Sequence, residues 1–352
     1  MSANLSDNAC YAPLFADAEV AALFGTEATI AGILRYEAAL ARALGNCGVA
    51  PKAAVDAAIK AIEKWEPDFT ALTADFRADG LPVPAVVRAL KAQGGAEAAP
   101  ALHVAATSQD VLDTGQAFAL HALSDLVAGR LAEVIDALDR LDATFGREKL
   151  MGRTRMQAAL PIPASHRIAE WKLCVGRALA RLPEARRGVE QVSYSGPVGL
   201  RDGPKGDAVA ANLADLLGLP LAERGSHVAR DGVVAYGGFL SIVAGAAGKI
   251  GTDVSLMAQQ GVGEAGLSGG GSSSAMPHKQ NPVLAETLIS QARFVAAQQG
   301  GLTGALIHEQ ERSGAAWALE WMFLPLMAET TGAALNNLRH LLDQINRIGP
   351  AD

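Results

Sequence analysis

The residue types in this sequence best suited to chemistry sit together in Gly266-Leu267-Ser268-Gly269-Gly270-Gly271-Ser272-Ser273-Ser274-Ala275-Met276-Pro277-His278-Lys279-Gln280-Asn281-Pro282. The small residues describe a loop whose backbone N–H groups are free to face an anion. Hydroxyls are dense in it, and Lys279 and Asn281 stand just before a proline, which is well suited to the first position of a helix. A flexible linker would share this composition. A linker, however, has no use for the varied side chains from Met276 to Asn281. These side chains weaken the linker reading without removing it, and the alternative is a loop that meets a small anion.

Such a loop needs rigid elements on either side. Prolines are frequent up to Pro100 and then absent from 101–160, 221–276 and 283–324. A proline inside a helix costs about 3 kcal/mol or more, so these runs are where long helices fit. In the first run Leu120, Leu123, Val127, Leu131, Val134, Leu138, Leu141 and Phe145 recur at steps of three and four, the period of a bundle seam. A helix from about Val111 to Glu148 is expected, on the order of 55 Å long. The second run, roughly 228–262, carries Gly245, Gly248 and Gly251, which imply either close helix–helix approach or a kink. A third helix is expected from Val283 to Gln299. Segments around Pro161-Ile162-Pro163, Ser195-Gly196-Pro197, Asp202 to Gly206 and Gly266 to Ser274 read as turns. No stretch alternates with period two, so no sheet is expected. The sequence therefore describes an all-α chain, with a helical region over 1–100 and an extended bundle over 101–352.

Bulk composition narrows the function. The 352 residues carry 30 Lys+Arg against 37 Asp+Glu, a net charge of −7, without a basic stripe that would hold nucleic acid. Half of the residues are hydrophobic and only 19% are charged, a balance that favours burying surface in an oligomer. Cys10, Cys47 and Cys174 are too scattered for a disulfide framework or a zinc ribbon. No His/Asp/Glu grouping has metal-ligand spacing, so neither a metal nor another cofactor is expected. The N-terminus lacks a signal-peptide pattern, and the apolar stretches look like poor membrane spans. A cytoplasmic enzyme that does not associate with membranes is the expectation.

The loop resembles the signature of the fumarase/aspartase superfamily, Gly-Ser-Ser-x-Met-Pro-x-Lys-x-Asn-Pro, with Ser273 and Ser274 in the two serine positions and Ser272 where glycine is frequent. His103-Val104-Ala105-Ala106-Thr107-Ser108-Gln109-Asp110 resembles the first conserved region of that superfamily, with Ala105 at a common glycine position. Gly152-Arg153-Thr154-Arg155-Met156-Gln157 resembles the second region, with Arg155 where many members carry histidine. The three segments occur in the expected order over about 100–285. The Thr107-Ser108-Gln109-Asp110 form, the Met276-Pro277-His278-Lys279 form, and His308 to Arg312 followed by Trp317 and Glu320-Trp321 look most like the muconate cycloisomerase branch. That branch tends to lack the second-region histidine as well. Adenylosuccinate lyase is the nearest competitor within the superfamily, and a non-catalytic helical scaffold is the alternative from another class.

The resemblance implies an extended helical bundle whose long helices combine in a homotetramer, with each site drawing its three regions from different subunits. It implies a small polyanionic substrate, lactonised through an aci-carboxylate. Ser273 would be the proton-transfer group, supported by Lys279, with His103 as an acid, a substrate donor or a structural histidine. Thr107, Ser108, Gln157, Ser274 and Asn281 would hydrogen-bond substrate carboxylates. Arg155 and Arg312 would meet them as cations, although Arg155 cannot carry a proton near neutral pH. Arg312 as a salt-bridge partner, Asp110 and Asp113 as helix-dipole residues, His278 as a loop brace and Trp321 as core or interface are the competing structural readings. The small C-terminal helical domain usual in the superfamily is expected to be missing.

Overall fold

The computed structural model describes residues 5–350 apart from 226, 270, 273–275, 277 and 278; the side chains of Ala71 and Ser272 are also left undescribed. Ser273, Ser274 and His278 therefore lie outside the described residues. The chain opens with two short helices, α1 (Ala12–Phe15) and α2 (Ala18–Leu23). Four more follow: α3 (Thr26–Asn46), α4 (Lys52–Lys64), α5 (Phe69–Asp79) and α6 (Val83–Ala98). The long helix α7 (Ser108–Phe145) leads to the hairpin β1 (Lys149–Thr154) and β2 (Gln157–Pro163). Beyond it come α8 (Ala164–Arg187), α9 (Gly206–Leu217) and α10 (Asp231–Ala258). Three short strands, β3 (Ala265–Leu267), β4 (Gly271–Ser272) and β5 (Gln280–Asn281), precede α11 (Val283–Thr303), α12 (Gly314–Gln344) and β6 (Ile345–Ile348). This is the predominantly helical, long-helix architecture expected from the sequence.

The seam read from α7 is the buried stripe of the helix. Leu120, Leu123, Val127, Leu131, Val134, Leu138 and Leu141 are all buried. They pack in one apolar core with residues of α8, α10, α11 and α12. A second core joins α3, α4 and α6 to the N-terminal part of α7 and to α9. The helix begins three residues before the expected Val111, because Thr107 and Asp110 form a capping box at its start.

Helix α10 fills the middle of the first core. By length and composition alone it could cross a bilayer, but Val243, Ala247, Ile250 and Val254 are buried against neighbouring helices, as in a core helix. Gly248 and Gly251 permit the close approach of α11: added Cβ atoms would lie 2.5 Å from Ala292 Cβ and 2.7 Å from the Ala285 carbonyl oxygen. Gly245 has no such neighbour within 4 Å, so only two of the three glycines serve the contact.

Two expectations fail locally. Helices α8 and α12 run through Pro183 and Pro325, which Pro-free runs could not reveal. Around Pro325, burial of Leu324, Met327, Ala328 and Thr331 offsets the missing backbone donor. The strands form three antiparallel two-stranded ribbons, β1–β2, β3–β6 and β4–β5. Pro161-Ile162-Pro163 thus ends a strand and is not a turn. The hairpin turns instead at Arg155 and Met156, both at positive φ (49° and 66°). Without Gly or Asn at those positions, the usual two-residue hairpin signal is absent.

Candidate active site

The N-terminus of α7 is tied into its surroundings by one carboxylate. Asp110 is fully buried. It accepts hydrogen bonds from the Thr107 N–H (3.0 Å), the Ser193 hydroxyl (2.7 Å) and the N–H groups of Ser195 and Gly196 (3.0 Å each). His227 Nε2 lies 3.3 Å from it. Burial alone would raise this carboxyl, but the bonds from His227, Ser193 and Thr107 outweigh it and hold Asp110 below the usual range. Asp110 is therefore a hub that gathers three chain segments, a larger role than the helix-dipole reading assigned to it.

Arg312 reaches the same place from the segment before α12. Its Nε donates to Gln109 Oε1 (2.9 Å), and its Nη2 donates to Thr107 Oγ1 (3.2 Å) and to the Pro197 carbonyl (3.1 Å). Gln109 is itself fixed by donating to the His227 carbonyl (2.9 Å). All three acceptors of Arg312 are neutral. The guanidinium is thus positioned without a counter-charge among the described residues, beside the positive end of a 38-residue helix. The salt-bridge reading of Arg312 fails for this reason. Ser108, the first helical residue, is half-buried here. The Ser195 hydroxyl and His227 Nδ1 are buried without partners among the described residues.

About one turn further along α7, Asp113 belongs to a second group of ion pairs. Arg230 is clamped between Asp113 (2.7 Å) and Glu320 (2.6 Å), with burial opposing its charge and the two carboxylates sustaining it. Asp113 is an ion-pair partner, not simply a dipole residue. His308 accepts the Ser313 N–H (3.3 Å), and burial together with Arg230 holds its imidazole below the ordinary value. Trp321 packs edge-on against buried Trp317 and keeps 39% of its surface, which suits an interface more than a core position.

His103 lies four residues before Thr107, on the loop entering α7. Its Nδ1 is 2.6 Å from Glu37 Oε1, and its backbone N–H donates to Glu37 Oε2 (2.9 Å). His103 and Ala105 both adopt left-handed φ, 57° and 53°. This explains the frequent glycine at the Ala105 position, since a Cβ there is strained.

The other two regions lie elsewhere on the chain. Arg155 occupies the exposed tip of the β1–β2 hairpin, with exposed Gln157 beside it. The hairpin is braced at its base by Glu264, which accepts from Arg153 (2.9 Å), Arg167 (3.3 Å) and the Met151 N–H (3.0 Å). Burial pushes the Glu264 carboxyl up, but these partners bring it below its ordinary range. A cleft of about 930 Å³ opens beside the hairpin, lined in part by Arg153, Arg155, His166, Glu170 and Lys249. Lys279 is exposed and Asn281 pairs with Gly271 across β4–β5. Glu264, Lys279 and Asn281 all follow the C-terminal end of α10, whereas Arg230, at its N-terminal end, contacts Asp113 of α7. The 28 residues of α10 separate these ends by about 42 Å. A single chain therefore brings Thr107, Ser108, Arg312 and the His103 loop together and leaves Arg155 and Gln157 at the far end.

Residues 19–297 match the lyase family. The chain belongs to that family. It is 37% identical over 332 residues to a 3-carboxy-cis,cis-muconate cycloisomerase of Bradyrhizobium diazoefficiens, covering 92% of this chain and 73% of that one. It is 33% identical over 358 residues to a nitrosuccinate lyase of Streptomyces davaonensis, covering 96% and 74%. The crystal structure of the 3-carboxy-cis,cis-muconate lactonizing enzyme from Pseudomonas putida superposes with a TM-score of 0.86 at 32% identity, covering 95% of this chain and 76% of that one.

Within this lyase, motif reading reached Thr107, Ser108 and Arg312 but missed the residues that organise them. Glu37 sits in an apolar stretch of α3, and His227 and Arg230 sit near the start of the second Pro-free run, just before α10. Their partners are 66 to 118 residues away in sequence. Of the Arg230 clamp, the sequence had singled out only Asp113, as a helix-dipole residue, and Glu320, adjacent to Trp321 in a quoted motif.

Proposed function

We propose that this lyase-family chain is a cycloisomerase that lactonises 3-carboxy-cis,cis-muconate, in the protocatechuate branch of the β-ketoadipate pathway. The observation that carries the reading is the Arg312 guanidinium, fixed by Thr107, Gln109 and Pro197 and lacking a carboxylate partner among the described residues. A polyanion supplies what that arrangement lacks. The relatives' names supply the particular substrate.

In the reaction one substrate carboxylate adds across a double bond, and the electron pair moves onto the neighbouring carbon as an aci-carboxylate. A proton then closes the new C–H bond, so the step is redox-neutral. Arg312, the Thr107 and Ser108 hydroxyls and the N-terminus of α7 are the groups placed to stabilise the added charge. Ser273 is assigned the proton transfer, with Lys279 lowering the cost of its oxyanion and His103 as a second proton carrier. Gln157, Ser274 and Asn281 hydrogen-bond the remaining carboxylates, and Arg155 pairs with one of them.

The assembly is a cytoplasmic homotetramer with sites shared between subunits. The roughly 42 Å between the two ends of α10 supports this, because the hairpin of one chain must then serve the α7 end of another. Loss of diene absorbance on mixing the protein with 3-carboxymuconate is the expected result. Inertness toward that compound together with turnover of adenylosuccinate would replace the assignment.

A further inference from the structure

The Glu37–His103 pair joins a motif histidine to a carboxylate that no motif announced. Glu37 has no exposed surface, whereas the His103 side chain keeps 17% of its own, so the accessible part of the pair is the imidazole. Both carboxylate oxygens are committed to one residue. Oε2 takes the backbone N–H and Oε1 lies 2.6 Å from ring Nδ1. The first bond holds a histidine in the left-handed region, at φ 57°. The second is not needed for that purpose.

We infer that Glu37 is the positioning residue of a carboxylate–imidazole pair that keeps a proton on His103 Nδ1 and turns Nε2 into the exchangeable proton carrier of the site. A buried carboxylate can only accept a hydrogen bond, so the neutral imidazole beside it is restricted to the Nδ1–H tautomer. The lactonising direction consumes one proton per turnover. The imidazole takes that proton from water at Nε2 while Nδ1 keeps its own toward Glu37 Oε1. The Nε2–H bond then breaks as the C–H bond forms at the aci-carboxylate, and water restores the proton. This supplies a second acid where Arg155 cannot serve, and its kinetic consequence rests on the cycloisomerase reading.

Glu37→Gln separates the two bonds. Its amide oxygen still accepts the backbone N–H, while its NH2 group faces Nδ1 as a donor and forces the Nε2–H tautomer. Histidine-selective 15N solid-state NMR on the assembled protein, with His103→Gln assigning the signal among the seven histidines, reads the tautomer directly. The wild-type protein is expected to carry the proton on Nδ1 and Glu37→Gln to move it to Nε2. The variant should lose about 100-fold or more in kcat with KM changed less than about threefold, as expected when an orienting carboxylate is neutralised. A wild-type His103 protonated on Nε2 alone, or a folded Glu37→Gln protein with unaltered kcat, overturns the inference. If Glu37→Gln does not fold, the wild-type spectrum decides. A wild-type protein inert to 3-carboxymuconate refutes the activity assignment, and the spectra then decide the pairing alone.

Discussion

At the N-terminus of α7 the acceptor sites of Asp110 are answered within the chain, whereas at the β1–β2 hairpin Arg155, Met156 and Leu160 stand in solvent. The first region is a closed network. Loops around 195, 227 and 312 converge on Thr107, Gln109 and Asp110, and each is fixed by hydrogen bonds of 3.3 Å or less. The second is a ribbon braced at its base by Glu264 and Arg167. Met156 and Leu160 keep 75% and 72% of their surface. On the proposed shared-site assembly these are side chains that a neighbouring subunit would cover. On that proposal the contrast separates what one chain builds from what it would contribute to a neighbour.

The comparison sharpens if the two regions respond differently to substitution. The largest effect is expected at the support of the closed network. Arg230→Met leaves Asp113 and Glu320 facing each other without their cation, and breaking such a buried set costs about 3–5 kcal/mol. Thermal unfolding should show a pronounced drop in Tm. An unchanged Tm would mean that the clamp is not part of the fold's support.

Arg312→Ala comes next. Removing the unpaired guanidinium should lower kcat/KM by about 100-fold or more while the helices remain folded, since the lost contact is to developing substrate charge. Steady-state kinetics beside far-UV circular dichroism distinguishes this from unfolding.

A smaller effect is expected in the pH dependence of stability. The carboxyl of Asp110 is lower in the folded protein than its ordinary 3.8. Its contribution is therefore complete above that value and is lost as pH falls from it through the folded value. Asp110→Asn should flatten the acid limb of a stability–pH curve by a slope approaching one proton, besides lowering stability at neutral pH. A parallel curve would contradict the hub role of Asp110.

The smallest stability effect belongs to the hairpin tip. Arg155→Ala should shift Tm by less than about 1 °C, as for exposed substitutions in general, yet impair turnover. A large loss of stability would mean that the tip is bound within its own chain.

The same contrast explains what the sequence could disclose. The α7 seam was legible because burial along a helix repeats every 3.5 residues, and Leu120 through Leu141 obey that period. Thr107, Ser108 and Arg312 were legible through motif. Glu37, His227 and Arg230 were not, because a hydrogen bond between residues 66 to 118 positions apart leaves no local pattern. The hairpin escaped for a different reason. Its turn residues, Arg155 and Met156, lack the glycine or asparagine that ordinarily announces positive φ. Pro183 and Pro325 show the converse, a strong local signal overridden by packing.

Subunit complementation tests most directly whether the closed region and the open one meet between chains. Arg312→Ala and Arg155→Ala proteins, each assayed alone with 3-carboxymuconate, should both be severely impaired. After mixed refolding or co-expression, random assembly should restore about one quarter of wild-type activity, since that share of sites receives both native residues from different subunits. A mixture no more active than its separate components would contradict the shared site.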